Sequence, residues 1–292
     1  MKLNILKRIN KLVRITEIKK GELQIPRNEL LVREALLKGS EYIGNLDYNN
    51  ALKCYDRALE IDPNNANVWD NKGYVLSLSG RYKEAIDCYD KSLEIDPNNT
   101  NVWNNKGNAL MSGLGKYVEA IDCYDKVLEI DPNSVYAWSN EGLVLARLGM
   151  HDKAIKHFDK SLEIDPNNAT DWLNKGFSSG ELGRYKEAID CYDRALEIDP
   201  NNTVALNNKG VALNELGKYS EAITCFDKAL AIDPNYDLAW NNKGFSLDKL
   251  GRHNEAKRWK AMKQQSNNID NDKRSVKCYT SEGKPVYEAY IQ

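Results

Sequence analysis

Residues 66–99 read ANVWDNKGYVLSLSGRYKEAIDCYDKSLEIDPNN, and recognisable copies return along the chain about every 34 residues. Copies begin at Thr100, Val135, Ala169 and Thr203, the first of these carrying one extra residue. A weaker copy occupies 32–65, and a copy with a decayed second half runs from Asp237 to about Gln265. A period of this size marks a chain built from one small unit used again and again. A unit so short cannot bury an apolar face by itself, so its neighbours must cover it.

Each unit is numbered from 1 to 34, with Ala66 as position 1. Trp69, Gly73 and Leu76 stand at positions 4, 8 and 11, spacings of four and three that share one helical face. Gly80 at position 15 supplies a left-handed helix end. Ala85, Ile86, Tyr89 and Leu93 form a second helical stripe. Asp96-Pro97-Asn98-Asn99 ends that helix, because proline cannot continue it and Asp and Asn favour turns and caps. The spacing predicts a hairpin of two antiparallel helices, with Gly73 and Ala85 small enough to let them approach closely.

These units resemble tetratricopeptide repeats, whose pattern is W-x2-L-G-x2-Y, then A-x3-F, then P. Trp69, Gly73, Ala85, Tyr89 and Pro97 match it, as do their counterparts in other units. Lysine replaces leucine at position 7 (Lys72, Lys106, Lys175, Lys209, Lys243), and leucine replaces tyrosine at position 11 in Leu76, Leu110, Leu145, Leu213 and Leu247. The lysine stems are expected to cover apolar surface while their ammonium groups stay wet. The resemblance implies an all-α fold: a right-handed α-α superhelix, or solenoid, of stacked antiparallel helix hairpins. The units would be 32–65, 66–99, 100–134, 135–168, 169–202, 203–236 and 237–265.

The net charge of −2 gives no general electrostatic case for nucleic acid. The charge is uneven: residues 1–31 carry +5 and the repeats −7. No run of 18 apolar residues occurs, and the amino-terminal residues hold no signal-peptide apolar core. Cys54, Cys88, Cys123, Cys191 and Cys225 all fall at position 23, and Cys278 lies in the tail. Equivalent positions in stacked units sit roughly 10 Å apart, too far for a disulfide. All six are expected to be free thiols in a reducing cytoplasm.

Over Met1–Lys20, Ile5, Leu6, Ile9, Leu12 and Val13 share a stripe opposite Lys7, Lys11 and Arg14. This predicts a basic amphipathic helix that caps the first repeat, makes weak contact with a membrane surface, or binds a partner. Gly21–Arg27 reads as a loop and Asn28 as the cap of the next helix. Leu46 stands where glycine usually ends the first helix, and the extra residue within Met111–Gly115 predicts a longer turn or a bulge. Asp87–Lys91, Asp122–Lys126 and Asp190–Arg194 are spaced as ion pairs on a solvated helix face. In the last unit Ala256 and Trp259 face inward, with Lys257 and Arg258 on the polar side. Gln264–Lys273 reads as a polar linker, and 275–291 as a weak β-hairpin or an unstructured tail.

No phosphate loop, nucleophile elbow or metal motif occurs, and no cofactor is implied. His151 and His253 replace tyrosine at position 17, and His157 replaces cysteine at position 23, so each substitutes for a framework residue. The segments flanking the repeats are too short for a catalytic domain, so no enzyme is expected. Position 6 holds Asn71, Asn105, Asn140, Asn174, Asn208 and Asn242. The resemblance puts first helices along a concave groove. There this row could bond an extended peptide backbone, with Tyr74, Phe177 and Phe245 (beside Leu143 and Val211) at position 9 as side-chain pockets. The alternative is that the asparagines serve the joints between repeats. Some relatives clamp a carboxylate with cations at positions 2, 5 and 6. From the second unit on these cations are missing, with Arg33 a lone exception in the first unit.

The expectation is a scaffold or adaptor for other proteins or peptides. Rival readings are a self-assembling structural solenoid, a membrane-recruited regulatory subunit, or an accessory part of an enzyme complex. Its oligomeric state is not fixed by the sequence.

Overall fold

A computed structural model of the chain describes residues 26–259. The expectations for Met1–Lys20, Gln264–Lys273, Cys278 and residues 275–291 lie outside them. The described residues are all-helical, with no strand among them. In order they form α1 (Arg27–Gly44), α2 (Tyr48–Ile61), α3 (Ala66–Leu78), α4 (Tyr82–Ile95), α5 (Thr100–Asn108) and a π-helical turn (Ala109–Gly113). Then follow α6 (Tyr117–Ile130), α7 (Val135–Arg147), α8 (His151–Ile164), α9 (Ala169–Glu181), α10 (Tyr185–Ile198), α11 (Thr203–Glu215), α12 (Tyr219–Ile232) and α13 (Asp237–Lys249). Residues 253–259 are again helical. The chain divides into two compact units between Ala137 and Trp138.

The caps show why the hairpin repeats. Asn65, Asn99, Asn168 and Asn202 each accept a bond from a main-chain N–H in the first turn of α3, α5, α9 and α11. Gly80, Gly149, Gly183, Gly217 and Gly251 turn the chain with φ of 73–77°. The second helices α4, α6 and α12 start on a cation with no capping side chain, Arg81, Lys116 and Lys218, whereas α2 is capped by Asp47 and α8 starts at Met150. That cation pairs with the glutamate three residues on (Glu84, Glu119, Glu221). The glutamate also places negative charge in the first turn, where the helix dipole favours it.

In the first unit Tyr55, Tyr89 and Tyr124 are fully buried, with Val68, Val75, Leu76 and Val102 around them. In the second unit Phe158, Tyr192 and Phe226 take the same place, with Leu173 and Leu247. These rings lie against the glycine of the facing helix. A Cβ on Gly176 would come within 2.6 Å of the Tyr192 ring, so only glycine fits.

Three expectations need correction. Asn28 does not cap α1: the helix starts at Arg27 behind Pro26, whose fixed φ suits a helix start. The i,i+4 pairs are not formed; Lys126 and Arg194 instead turn forward to Glu129 and Glu197, three residues on. The position-7 ammonium groups are not left to water but pair with aspartates of the preceding hairpin, as described below. The extra residue after Thr100 is absorbed as the π-helical turn, and the ring of Tyr82 fills the space a side chain at Gly113 would need. The main chain recovers at Lys116, whose N–H bonds the Leu110 carbonyl at 2.9 Å.

Leu46 holds a φ of 60° and its side chain is 69% exposed, so it carries left-handed strain without packing in return. Leu46→Gly should therefore stabilise the first unit by ~1 kcal/mol. Chemical denaturation followed by circular dichroism checks this; a lower midpoint would refute it.

Candidate functional site

The seams between successive hairpins use a recurring set of polar contacts. The indole N–H groups of Trp69, Trp103, Trp172 and Trp240 donate to the carbonyls of Pro63, Pro97, Pro166 and Pro234 at 2.6–3.0 Å. Lys72, Lys106, Lys175 and Lys243 reach back to Asp56, Asp90, Asp159 and Asp227 at 2.5–2.6 Å, and Lys209 reaches Asp193. The lysine stems are largely covered and the aspartates about half exposed. The ammonium groups of Lys72, Lys106 and Lys175 also lie 5.3–5.4 Å from the tryptophan rings of their own helices.

One hairpin departs from this scheme. Glu141 replaces the lysine in α7 and His157 replaces the cysteine in α8. His157 Nε2 is 3.0 Å from Glu141 Oε1, and Nδ1 is 2.9 Å from the Lys153 carbonyl. Both ring nitrogens face acceptors, so the geometry is satisfied by an imidazolium. The Trp138 ring lies 5.3 Å from the imidazole. Glu141 is buried and its Oε2 has no partner. A second departure is Asp171, buried at a position that Val68, Val102, Ala205 and Ala239 fill elsewhere. Ser139 and Ser161 donate to its Oδ2 at 2.5 Å and Asn168 at 2.9 Å. Burial pushes this carboxyl above the usual aspartate range, against the opposing pull of the serine bonds.

The asparagines of position 6 sit at these seams. Asn105 Nδ2 donates to Asp70 of the preceding first helix at 2.9 Å, and Asn242 Nδ2 to Asn207 at 2.9 Å. Asn207 Nδ2 in turn donates to Asn208. Asn71 bonds the Asn67 carbonyl within its own helix. Asn71, Asn174, Asn208 and Asn242 are buried, while Asn105 and Asn140 are half-buried. The burial follows from helix geometry. At about 100° per residue, position 6 lies toward the preceding first helix, whereas positions 2, 9 and 13 point away from the hairpin partner. Sequence spacing put positions 2, 6, 9 and 13 on one face; position 6 is drawn into the seam instead, and position 13 carries the charges Arg147, Glu181, Glu215 and Lys249.

In the second unit this outward face has three rows. The first is Asn140, Asn174, Asn208 and Asn242, buried at the seam except for Asn140; the second is Leu143, Phe177, Val211 and Phe245, of which Leu143 and Val211 are buried; the third is Arg147, Glu181, Glu215 and Lys249. Phe177 and Phe245 are half-buried, and the ammonium of Lys249 lies 5.3 Å from the Phe245 ring. His151 meets Phe177 edge-on at 6.0 Å. In the first unit the half-buried Tyr74 occupies the same position. The π-helical repeat has Asn108 there, which accepts from Tyr124 Oη at 2.7 Å.

A cavity of about 570 Å³ also lies in the first unit, lined by Asp56, Trp69, Lys72, Arg81, Glu84 and Lys91 among others. Its charges are largely matched internally: Lys72 with Asp56, Arg81 with Glu84, and Lys91 over the Trp69 ring. Among the described residues no group of three or more His, Cys, Asp or Glu could hold a metal ion, and no helix is long and apolar enough to cross a membrane. Cys54, Cys88, Cys123, Cys191 and Cys225 are free thiols. Burial pushes Cys88 and Cys123 up to about 11 and Cys191 to about 12, so they are not nucleophiles near neutrality.

Comparison with known proteins fits this geometry. The tetratricopeptide repeat family model matches residues 66–99, 100–134, 135–168, 169–202 and 203–236, and related repeat models match 39–80 and 225–258. YrrB, described as a TPR protein with an unusual peptide-binding site, superimposes with a TM-score of 0.54 at 25% identity, over 65% of this chain and 97% of YrrB. A tetratricopeptide repeat protein from Parabacteroides merdae has a TM-score of 0.65 at 18% identity, covering 83% of this chain and 94% of its own. The APC/C assembly Cut9–Hcn1 gives 0.63 at 19% identity, over 84% of this chain and 46% of that chain. The last two show the fold alone. A curated relative from Schizosaccharomyces pombe, an N-terminal acetyltransferase A complex subunit-like protein, is 49% identical over 37 residues. The match spans 13% of this chain and about 5% of that relative.

Two outcomes follow for the departures. His157→Cys leaves Glu141 buried without its cation and should cost about 3 kcal/mol; adding Glu141→Gln should recover most of that. Thermal melts of the single and double variants decide it, and an unchanged His157→Cys midpoint would refute the ion pair. For Asp171 the folded state holds its proton more tightly than the unfolded chain. Its contribution therefore favours folding at low pH and is lost as pH rises through the ordinary aspartate value to its raised one. Asp171→Asn should be neutral near pH 3 and stabilising at pH 7, as read from melts across that range. A gain that does not grow with pH would contradict it.

Proposed function

Because this chain belongs to the tetratricopeptide repeat family, we propose that it is a protein-interaction scaffold that holds an extended segment of a partner against the outward face of its first helices. Proteins of this family generally act as scaffolds without catalysis, and the side chains on this face suit binding. The observation that carries the reading is the pair of half-buried rings Phe177 and Phe245 between amides and charges, with the buried Leu143 and Val211 in the same row. Such a strip gives a partner's side chains apolar surface to bury, with polar groups alongside to bond its backbone. In the first unit Tyr74 offers the same kind of surface. The half-buried Asn105 and Asn140 are the amides of position 6 within reach of a bound chain; the buried members support the seam beneath it. The described peptide-binding site of YrrB supports the same reading. Free thiols throughout the repeats suit a reducing compartment, the cytoplasm in our reading.

Phe177→Ala/Phe245→Ala tests this. Each aromatic anchor lost from an interface typically costs 1–2 kcal/mol or more, so partner capture should fall at least tenfold. The rings are half-buried, so circular dichroism should show the fold intact. Undiminished capture by a folded double variant would rule the strip out as the binding element.

A further inference from the structure

Arg147, Glu181, Glu215 and Lys249 occupy the same repeat position on α7, α9, α11 and α13. The rim they form in the second unit therefore reads plus, minus, minus, plus. Among the described residues none of the four takes part in an ion pair, whereas the seam lysines Lys175, Lys209 and Lys243 of the same repeats all do. Glu215 is hydrogen-bonded by the Tyr185 hydroxyl, which burial, then Glu215 and Glu181 push upward, so both carboxylates act on one group. On α9, Asn174, Phe177 and Glu181 follow at intervals of three and four, one stripe of the helix.

Two amides beside this rim are left incomplete. Asn174 is 4% exposed and its Oδ1 has no partner. Asn214, next to Glu215, is also 4% exposed; its Oδ1 accepts from Ser246, yet its Nδ2 has no partner. An acceptor and a donor are thus unspent in the same seams that carry the uncompensated charges. Buried amides of this kind are normally satisfied.

We propose that this rim selects an extended partner segment with the charge pattern minus, plus, plus, minus at every third residue, in effect Glu-x-x-Lys-x-x-Lys-x-x-Glu. The spacing comes from two lengths. Stacked first helices lie about 10 Å apart. A segment in the polyproline II conformation advances about 3.1 Å per residue with three residues per turn, so one repeat spans three residues and every third side chain returns to the face turned to the rim. The two lysines meet Glu181 and Glu215, and the outer glutamates meet Arg147 and Lys249. Residues between them turn apolar side chains onto Phe177 and Phe245. The pattern reads the same from either end, so the rim alone does not fix the direction of the bound chain. This inference rests on the interaction face proposed above and adds its selectivity.

The test uses the full chain and three fluorescein-labelled decapeptides with Leu and Ser at the x positions. One has the stated pattern, one has lysine and glutamate exchanged, and one has glutamine at all four charged positions. Fluorescence anisotropy at low salt should show the first binding about tenfold more tightly than the exchanged peptide. The gap should shrink as salt rises, since the pairs are exposed. In Glu181→Lys/Glu215→Lys the rim is positive throughout and each of the two charged peptides meets two attractions and two repulsions, so the preference should vanish; both sites are exposed, so the fold should be unaffected. Equal binding of all three peptides would overturn the charge pattern while leaving the apolar strip standing. Binding by none of them would overturn the pattern and weaken the interaction face with it. A preference unchanged in the double variant would move the selectivity away from this rim.

Discussion

A hairpin of 34 residues leaves an apolar face that it cannot cover by itself, so its stability depends on the next hairpin in line. The seam between them has two kinds of contact. Apolar side chains such as Val68, Val102, Ala205 and Ala239 are fully buried and supply most of the energy. The lysine–aspartate pairs and the indole-to-carbonyl bonds supply direction. Each such pair, with its aspartate about half exposed, stabilises by no more than about 1 kcal/mol. Their value lies in register: the lysine of one hairpin reaches a single aspartate of the one before, which fixes how far the two are rotated.

That division of labour explains the two departures. Where Glu141 replaces lysine, His157 replaces cysteine on the facing helix, so the negative charge keeps a cation close by. Where Asp171 enters an apolar position, Ser139, Ser161 and Asn168 turn toward it. In both cases a buried carboxyl is tolerated because neighbouring side chains give it polar partners, His157 in the first and two serines and the cap asparagine in the second. Both fall in the second unit, which also carries the aromatic strip and the unmatched rim.

Much of this was legible beforehand. The period, the glycine turns, the Asp-Pro stops and the position-23 cysteines each have one structural meaning, and the helices fall where those signals put them. The bulge after Thr100 was visible as one residue too many. Other features were harder to read, for a physical reason. Whether Asn208 faces a ligand or a neighbour depends on the angle between stacked helices, which the period does not encode. The pairing of Lys72 with Asp56 joins residues 16 apart across two hairpins, so helix spacing rules pass over it. Glu181 and Glu215 look like ordinary solvated charges until their lack of cations is set beside the paired charges of other rows.

The π-helical turn at Ala109–Gly113 shows how such a chain absorbs a change in length. One residue too many is taken up within a few peptide units, and Lys116 onward resumes the ordinary geometry. An insertion at the tip of a hairpin is thus a local event, like a slack link in a chain that leaves the other links at their spacing. Arrays built this way can drift in length one residue at a time without losing the alignment of the surfaces they present.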